Sequence, residues 1–310
     1  MSRPVVVVTL QQFCETDPGP RELLRRAGCE VRENTLGRRM TAQDCREWLK
    51  DADAVIAGVE PYDGTLLNSL PRLRCISRCG TGTDAIDLDA ARRVGVTILT
   101  TPDAVVEAVA QLTLAMILAS ARNLPLHHSD SHAGRWTKRT GRLVSEWCIG
   151  LIGYGRVGQA VGRYLQAFGP TLLITDPQLD GKALPDGVDA CPLDALLGRA
   201  DLVSLHVSRR PEEGVLLGRQ ELTRMRRGSV LVNTSRGFLI DEQALYDLLV
   251  EGRLAGAALD VFATEPYHGP LAQLPQVLCT PHVGSLTVAS RAAMEWQCAR
   301  NVVSWLEGRG

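Results

Sequence analysis

The sequence predicts an α/β protein with two domains, each built on a doubly wound parallel β-sheet. Apolar strand-like runs alternate with helix-like segments along the whole chain, which is typical of parallel sheets with helices on both faces. The 310 residues also fit two domains of about 150 residues each. A glycine-rich turn lies mid-chain, after one α/β unit is complete, and a final helix over Leu286–Glu307 can return to that unit. We therefore expect residues 1–99 and 285–310 to form one domain and residues 100–284 to form the other.

The elements of the first domain follow from short apolar runs and their flanking residues. The β-branched run Val5–Thr9 predicts a strand. Pro20–Ala27 follows as a short amphipathic helix, and Gly28 ends it. Asp87 is a suitable N-cap for a helix that extends to Arg93. Further short strands are predicted at Ala54–Ile56, Cys75–Ser77 and Val96–Leu99.

The composition argues against nucleic-acid and membrane partners. The formal net charge is −1, so the chain has no general attraction for polyanions, and no apolar run approaches the roughly 18 residues of a membrane span. The nine cysteines form no CxxC pair, which favours reduced thiols in a cytoplasmic protein. We interpret His127, His128 and His132 as solvated loop residues and expect no metal site.

A long apolar segment joins the two halves of the chain. Val105–Leu124 predicts a helix that is apolar on nearly every side, and such helices are buried. Because it is too apolar to face solvent, we expect a homodimer built on it. The polar stretch Pro125–Glu146 follows as a predicted loop.

The glycine-rich turn predicts a dinucleotide site. The apolar strand Cys148–Ile152 runs into a GxGxxG motif and then a helix; the motif consists of Gly153, Tyr154, Gly155, Arg156, Val157 and Gly158. Gly153 permits the tight turn, Gly155 lets the backbone approach a pyrophosphate, and Gly158 lets the helix pack on the strand. Asp176, at the end of the next strand, can accept both ribose hydroxyls and repel a 2′-phosphate, which predicts NAD over NADP. The alternative is an ordinary loop aspartate at a strand end.

Three later strands end in polar residues. These are Val230–Asn233 with Arg236 beyond it, the strand ending at Asp260 with Glu265 beyond it, and the strand leading to His282. In an open parallel sheet these ends lie at the carboxyl edge, where ligands bind. Each residue also has a structural interpretation, as a surface arginine, a turn glutamate or a loop histidine.

Taken together, these segments resemble the D-isomer-specific 2-hydroxyacid dehydrogenases of the phosphoglycerate dehydrogenase-like group. The resemblance runs nearly end to end, through Ser77–Asp87, the GxGxxG motif with Asp176, and Asp201–His206. It implies a Rossmann NAD-binding domain inserted in a flavodoxin-like substrate-binding domain. It also implies a reaction, the transfer of a hydride between NAD and C2 of a small anionic 2-hydroxy or 2-oxo acid.

The resemblance places the catalytic residues at Arg236, Glu265 and His282. A histidine is a suitable acceptor for the hydroxyl proton because it titrates near neutral pH. A carboxylate beside it would stabilise the imidazolium, and an arginine can fork onto the substrate carboxylate and the reacting oxygen.

The resemblance also implies the remaining contacts. Beyond the glycine motif and Asp176, the cofactor would be contacted by His206, Val207, Thr234, Asp260 and His282. Within that set, Asp260 would hold the nicotinamide carboxamide and His206 would support packing. The backbone N–H groups of Gly80 and Thr81 would hold the substrate carboxylate, together with Arg236 and His282.

Three alternatives concern the substrate and the class of protein. In some similar enzymes the segment around Lys138 and Arg139 reaches the neighbouring subunit's active site, where these charges would favour a dianion; otherwise the segment is a solvated basic loop. The substrate could accordingly be a phosphorylated or phosphonate-bearing alcohol. From a different class, an NAD-sensing binding protein similar to a co-repressor shares this fold, and a turnover assay discriminates the two.

Overall fold

The computed structural model describes residues 3–179, 184–208 and 211–308. The chain divides into two compact units: unit 1 comprises Met1–Val105 and Ser285–Gly310, and unit 2 comprises Val106–Gly284. The units therefore part at the start of a helix, a few residues beyond the predicted division at residue 99.

Within the described residues, unit 1 contains a five-stranded parallel sheet. Its strands are β1 (Val5–Val8), β2 (Glu30–Glu33), β3 (Ala54–Ala57), β4 (Cys75–Arg78) and β5 (Thr97–Leu99). Their spatial order is β2-β1-β3-β4-β5, which is the flavodoxin-like order. The helices of this unit are α1 (Gly19–Arg26), α2 (Ala42–Leu49), α3 (Gly64–Asn68), α4 (Leu88–Arg93) and, at the end of the chain, α11 (Val288–Glu307).

Local sequence explains these elements. All four valines of β1 are buried, as expected for a central strand covered on both faces. Asp87 caps α4 by accepting a hydrogen bond from the Ala90 amide, as predicted. The strand β2 was not predicted, because Glu30–Glu33 lies at the edge of the sheet, where its charged side chains are not buried. The closing helix α11 begins after the N-cap Thr287 and packs on α1, β3 and β4.

Unit 2 contains, in the part that the structure describes, a seven-stranded parallel sheet in the order β12-β11-β10-β9-β6-β7-β8. Its strands are β6 (Cys148–Ile152), β7 (Thr171–Thr175), β8 (Val188–Ala190), β9 (Leu202–Leu205), β10 (Val230–Asn233), β11 (Gly256–Leu259) and β12 (Val277–Cys279). Its helices are α5 (Val106–Ala121), α6 (Leu124–His132), α7 (Arg156–Gln166), α8 (Leu193–Arg199), α9 (Arg219–Arg224) and α10 (Glu242–Val250).

The strand order of unit 2 is the doubly wound order of a Rossmann domain, and it locates the ligand site. From β6 the chain adds β7 and β8 on one side, and then crosses to add β9 and the later strands on the other side. The loops after β6 and β9 therefore leave the sheet in opposite directions, which defines a topological switch point. Alternate residues of each strand face opposite cores: in β9, Leu202 belongs to one core and Val203 and Leu205 to the other. The two parallel α/β sheets confirm the predicted fold class.

The apolar segment after unit 1 forms the helix α5, part of which is buried in unit 2. The helix α5 packs on α7, β10 and β11, and Met116 and Ile117 are fully buried in that core. Packing inside unit 2 accounts for the buried side chains of α5, and the homodimer expected on this helix stays a prediction. The expectation of a loop after it was wrong in part, since Leu124–His132, including the three histidines, forms the helix α6.

Among the described residues, no single helix has both the length and the apolarity of a membrane span. The bent pair Val106–Ala121 and Leu124–His132, with 68° between the helices, meets these conditions only when the two are taken together.

Candidate active site

The glycine turn after β6 is tightly packed on one side and open on the other. Gly153 has φ +91°, and a Cβ there would lie 2.6 Å from the His206 carbonyl oxygen. A Cβ on Gly158 would overlap the carbonyl oxygen of Gly153, whereas a Cβ on Gly155 would meet no atom within 4 Å. The open side adjoins the N-terminus of α7, whose free N–H groups favour an anion. The turn therefore fits a pyrophosphate, while Arg156 and Val157 form the first turn of α7.

Asp176 lies immediately after β7 and connects that strand to the glycine turn. Its Oδ2 accepts a hydrogen bond from the Tyr154 amide at 2.7 Å, and its Oδ1 accepts one from the Gln178 amide at 2.8 Å. Each carboxylate oxygen can accept a further hydrogen bond. The side chain is thus held in one orientation and retains capacity for two ribose hydroxyls.

His206 supports the glycine turn from the neighbouring strand. Its amide donates to the Ile152 carbonyl at 2.7 Å, and its Nε2 lies 3.0 Å from the Ser204 hydroxyl. Burial lowers the pKa of His206 to about 4, so the ring is neutral at physiological pH. The next residue, Val207, accepts a hydrogen bond from the Ser235 hydroxyl at 2.5 Å, which links the loops after β9 and β10.

The loop after β10 is organised by a buried asparagine. Asn233 donates to the Arg236 carbonyl at 2.8 Å and accepts from the Ser235 amide at 3.0 Å. Thr234 is buried, and its hydroxyl lies 2.8 Å from that of Thr113 on α5. Neither Asn233 nor Thr113 was assigned a role from sequence. Both act by fixing backbone or partner side chains, and such contacts leave no motif in the chain.

A glycine brings the arginine loop against the glutamate loop. A Cβ on Gly237 would overlap the backbone of Phe262 and Ala263, so only glycine allows this approach. The close contact joins the loop of Arg236 to the loop that carries Glu265.

His282 and Glu265 form a hydrogen-bonded pair. The imidazole Nδ1 lies 2.8 Å from Glu265 Oε2, and the side chains are 48% and 36% exposed. Glu265 Oε1 accepts a hydrogen bond from the Phe262 amide at 3.0 Å, which fixes the carboxylate. With Nδ1 bonded to Glu265, Nε2 is the ring nitrogen available for proton exchange with a ligand. The structure thus brings together, within unit 2, two of the three predicted catalytic side chains.

The predicted carboxylate contact at Gly80 is not supported by the hydrogen bonds of unit 1. The Gly80 amide donates to the buried Thr101 hydroxyl at 2.8 Å, and the Thr101 amide donates back to the Gly80 carbonyl at 3.0 Å. Because the Gly80 donor is used inside the unit, a substrate would have to displace Thr101 to reach it. Thr81 follows as an exposed residue.

The basic segment after α6 carries less free charge than its sequence suggests. Buried Asp130 pairs with Arg139 and, at 2.7 Å, with Arg135. These arginines and Lys138 line an open cavity of about 390 Å³, with Trp136 beside them. One carboxylate thus offsets part of the positive charge that was expected to select a dianion. In the described ranges, no cluster of three or more His, Cys, Asp or Glu side chains could hold a metal ion.

The low pKa of His206 predicts a pH-dependent loss of stability. The unfolded chain binds a proton near pH 6.5 and the folded chain near pH 4, so this contribution is complete above pH 6.5 and is lost as the pH falls toward 4. Between pH 7 and pH 5 the wild type should lose about 2 kcal/mol more unfolding free energy than His206→Asn. Urea denaturation at the two pH values measures this difference, with His268→Asn as an exposed control. Equal losses in the wild type and His206→Asn would refute it.

The geometry at Asp176 predicts the cofactor preference. Asp176→Ala should raise the Kd for NAD roughly 10- to 100-fold, since it removes a charged acceptor of hydrogen bonds. It should also bring the Kd for NADP close to that for NAD, because the repulsion of a 2′-phosphate is lost. Titration calorimetry with both dinucleotides tests this, with the exposed Asp189→Ala as the matched control. An unchanged ratio of the two Kd values would contradict the assignment.

Comparison with known proteins identifies the family. Residues 114–284 match the model of the D-isomer specific 2-hydroxyacid dehydrogenase, NAD binding domain. The D-3-phosphoglycerate dehydrogenase of Methanocaldococcus jannaschii is 34% identical over 285 residues, which cover 90% of this chain and 54% of that protein. The glyoxylate reductase of Korarchaeum cryptofilum is 34% identical over 272 residues, covering 84% of this chain and 82% of that protein.

A solved structure agrees with these matches. The D-lactate dehydrogenase of Aquifex aeolicus, complexed with NAD and lactic acid, superposes with a TM-score of 0.83 at 26% identity, over 98% of this chain and 96% of that one. The chain spans about half the length of the phosphoglycerate dehydrogenases that it matches. The matched domain coincides with the sheet that carries the glycine turn, Asp176 and the His282–Glu265 pair, and the chain belongs to the D-isomer specific 2-hydroxyacid dehydrogenase family.

Proposed function

We propose that this protein is an NAD-dependent dehydrogenase that acts on C2 of a small anionic 2-hydroxy or 2-oxo acid. The observation that carries the proposal is the 2.8 Å hydrogen bond between His282 and Glu265, on the sheet whose switch point carries the glycine turn. A proton acceptor and a dinucleotide site on one sheet edge are what oxidation of a secondary alcohol requires.

Each residue of the site has a separate role in this reaction. NAD, when bound, supplies the hydride acceptor or donor. Asp176 and the N-terminus of α7 hold its ribose and pyrophosphate. His282 takes the hydroxyl proton at Nε2 in the direction of oxidation and returns it in reduction. Glu265 stabilises the imidazolium and orients the ring, and Arg236 binds the substrate carboxylate.

The relatives favour a carboxylic acid as substrate. Phosphoglycerate dehydrogenase and glyoxylate reductase are the names of the curated relatives, and the solved D-lactate dehydrogenase holds lactic acid. All three names describe acids with oxygen at C2. A phosphorylated or phosphonate-bearing alcohol is the second candidate; Lys138 in the basic cavity favours it, while the pairing of Asp130 with two arginines weakens it.

We also propose a homodimer in the cytoplasm. Leu124, Trp136 and Leu143 are 53%, 89% and 63% exposed, and a second copy of the chain would cover these side chains, which lie on or after α6. All nine cysteines, each of them described, are free thiols, as is usual in a reducing compartment.

A substrate panel tests the proposed function. We expect NADH-dependent reduction of one or more of glyoxylate, pyruvate, hydroxypyruvate and 3-phosphohydroxypyruvate, and weaker turnover with NADPH. His282→Ala should lower kcat by roughly 10²–10⁴, the usual contribution of a general base. The exposed His268→Ala is the matched control and should retain the wild-type rate.

Two outcomes would contradict the proposal. Near-normal kcat in His282→Ala would remove the proposed proton acceptor. Tight NAD binding without turnover of any acid in the panel would favour the alternative class, an NAD-sensing binding protein.

A further inference from the structure

The carboxylate of Asp260 is buried, and the protein itself supplies its hydrogen-bond donors. Oδ1 accepts from the Thr280 hydroxyl at 2.6 Å and from the Val283 amide at 2.8 Å. Oδ2 accepts from the Gly284 amide at 2.8 Å. Three donors from one short segment therefore converge on a single side chain at the end of β11. Because Oδ2 accepts only one of these bonds, the carboxamide contact expected from the family resemblance stays a prediction.

The backbone of Asp260 is fixed to the same segment. Its carbonyl oxygen accepts the His282 amide at 2.9 Å, and its own amide donates to the Asn233 carbonyl at 2.9 Å. The segment Thr280–Gly284 is thus fastened at four positions to one residue, which is in turn anchored to β10.

His282 needs such fastening because its backbone is in an unfavourable conformation. Its φ is +55°, a left-handed value that is unfavourable for any residue other than glycine. Residues in this conformation persist only where surrounding contacts determine it. Besides the bond to Asp260, the His282 amide also donates to the Thr280 carbonyl at 3.0 Å.

The partner of the imidazole is held independently. Glu265 accepts from the Phe262 amide at 3.0 Å, and the Ala263 amide donates to Glu242 at 2.7 Å. The glutamate loop therefore does not follow a displaced histidine. A change in the backbone of His282 would break the 2.8 Å bond between the two side chains.

We propose that Thr280, acting through Asp260, is a positioning residue for His282. Its hydroxyl orients the buried carboxylate so that both oxygens meet the amides of Val283 and Gly284, and this arrangement holds His282 with Nδ1 against Glu265. The inference rests on the proposed role of His282 as the proton acceptor.

The test uses two substitutions that differ only in the hydroxyl. Thr280→Val removes the donor to Asp260 and keeps the shape of the side chain, whereas Thr280→Ser keeps the hydroxyl. Thr280→Val should lower kcat roughly 10- to 100-fold, the usual effect of losing a hydrogen bond to a charged group or of misplacing a catalytic group. Thr280→Ser should recover most of the rate. Thr223→Val, on the exposed face of α9, controls for the substitution itself.

A second readout does not depend on turnover. In protein labelled with ¹⁵N-histidine, the His282 signals are assigned by their loss in His282→Gln. We expect the amide coupling that reports φ and the Nδ1 shift that reports the bond to Glu265 both to change in Thr280→Val and to return in Thr280→Ser.

The two readouts separate the failure of this inference from failure of the proposed function. If the wild type reduces no acid, the proposed function fails, and the His282 signals still decide whether Thr280 positions the ring. Unchanged His282 signals in folded Thr280→Val, or a loss of rate that Thr280→Ser shares, would overturn the inference.

Discussion

In a parallel sheet every strand ends at the same edge, and the organisation of unit 2 depends on this constraint. The seven strands described in this unit all run in one direction, so the loops after β6, β9, β10, β11 and β12 must emerge together. Residues far apart in sequence, such as Gly153 and His282, therefore belong to one edge. The chemistry of the site lies in these loops, and the sheet fixes where each loop begins.

Two glycines let backbone segments at this edge pack closely against each other, which fixes the relative positions of the loops. Gly158 lets α7 meet the turn at Gly153, and Gly237 lets the arginine loop meet the glutamate loop. A Cβ at either position would overlap backbone atoms, which cannot move aside as a flexible side chain can. Buried polar side chains then fix the loop conformations: Asn233 holds the loop after β10, and Asp260 holds the loop after β12.

The two histidines at this edge, His206 and His282, differ in their surroundings. His206 is half-buried beside Ser204, and the loss of hydration there lowers its pKa to about 4, so it stays neutral and supports the glycine turn. His282 is half exposed, and its Nδ1 is hydrogen-bonded to the Glu265 carboxylate. Two residues of the same type thus have different roles, because only one faces both solvent and a fixed anion.

Much of this arrangement could be predicted from the sequence. Buried strands such as β1 and β6 could be predicted because each is a continuous run of apolar residues. The family resemblance indicated Arg236, Glu265 and His282 as the catalytic residues. The edge strand β2 was not predicted because three of its four residues are charged. The use of the Gly80 amide by Thr101 and of the Asp260 carboxylate by Thr280 could not be predicted, since both depend on contacts between residues on different strands or loops. The apolarity of α5 indicated burial but did not indicate its partner, which in unit 2 includes α7.

The proposed function requires that this chain itself moves a hydride to C2 of a 2-oxo acid. The most direct measurement incubates the purified protein with NADH that carries deuterium at both C4 positions of the nicotinamide. The acid is the best substrate of the panel other than glyoxylate, whose reduced product has no D or L form. We expect a 2-hydroxy acid of D configuration that carries deuterium at C2, and almost none of it with His282→Ala. A product without deuterium at C2, or one of L configuration, would overturn the proposed function.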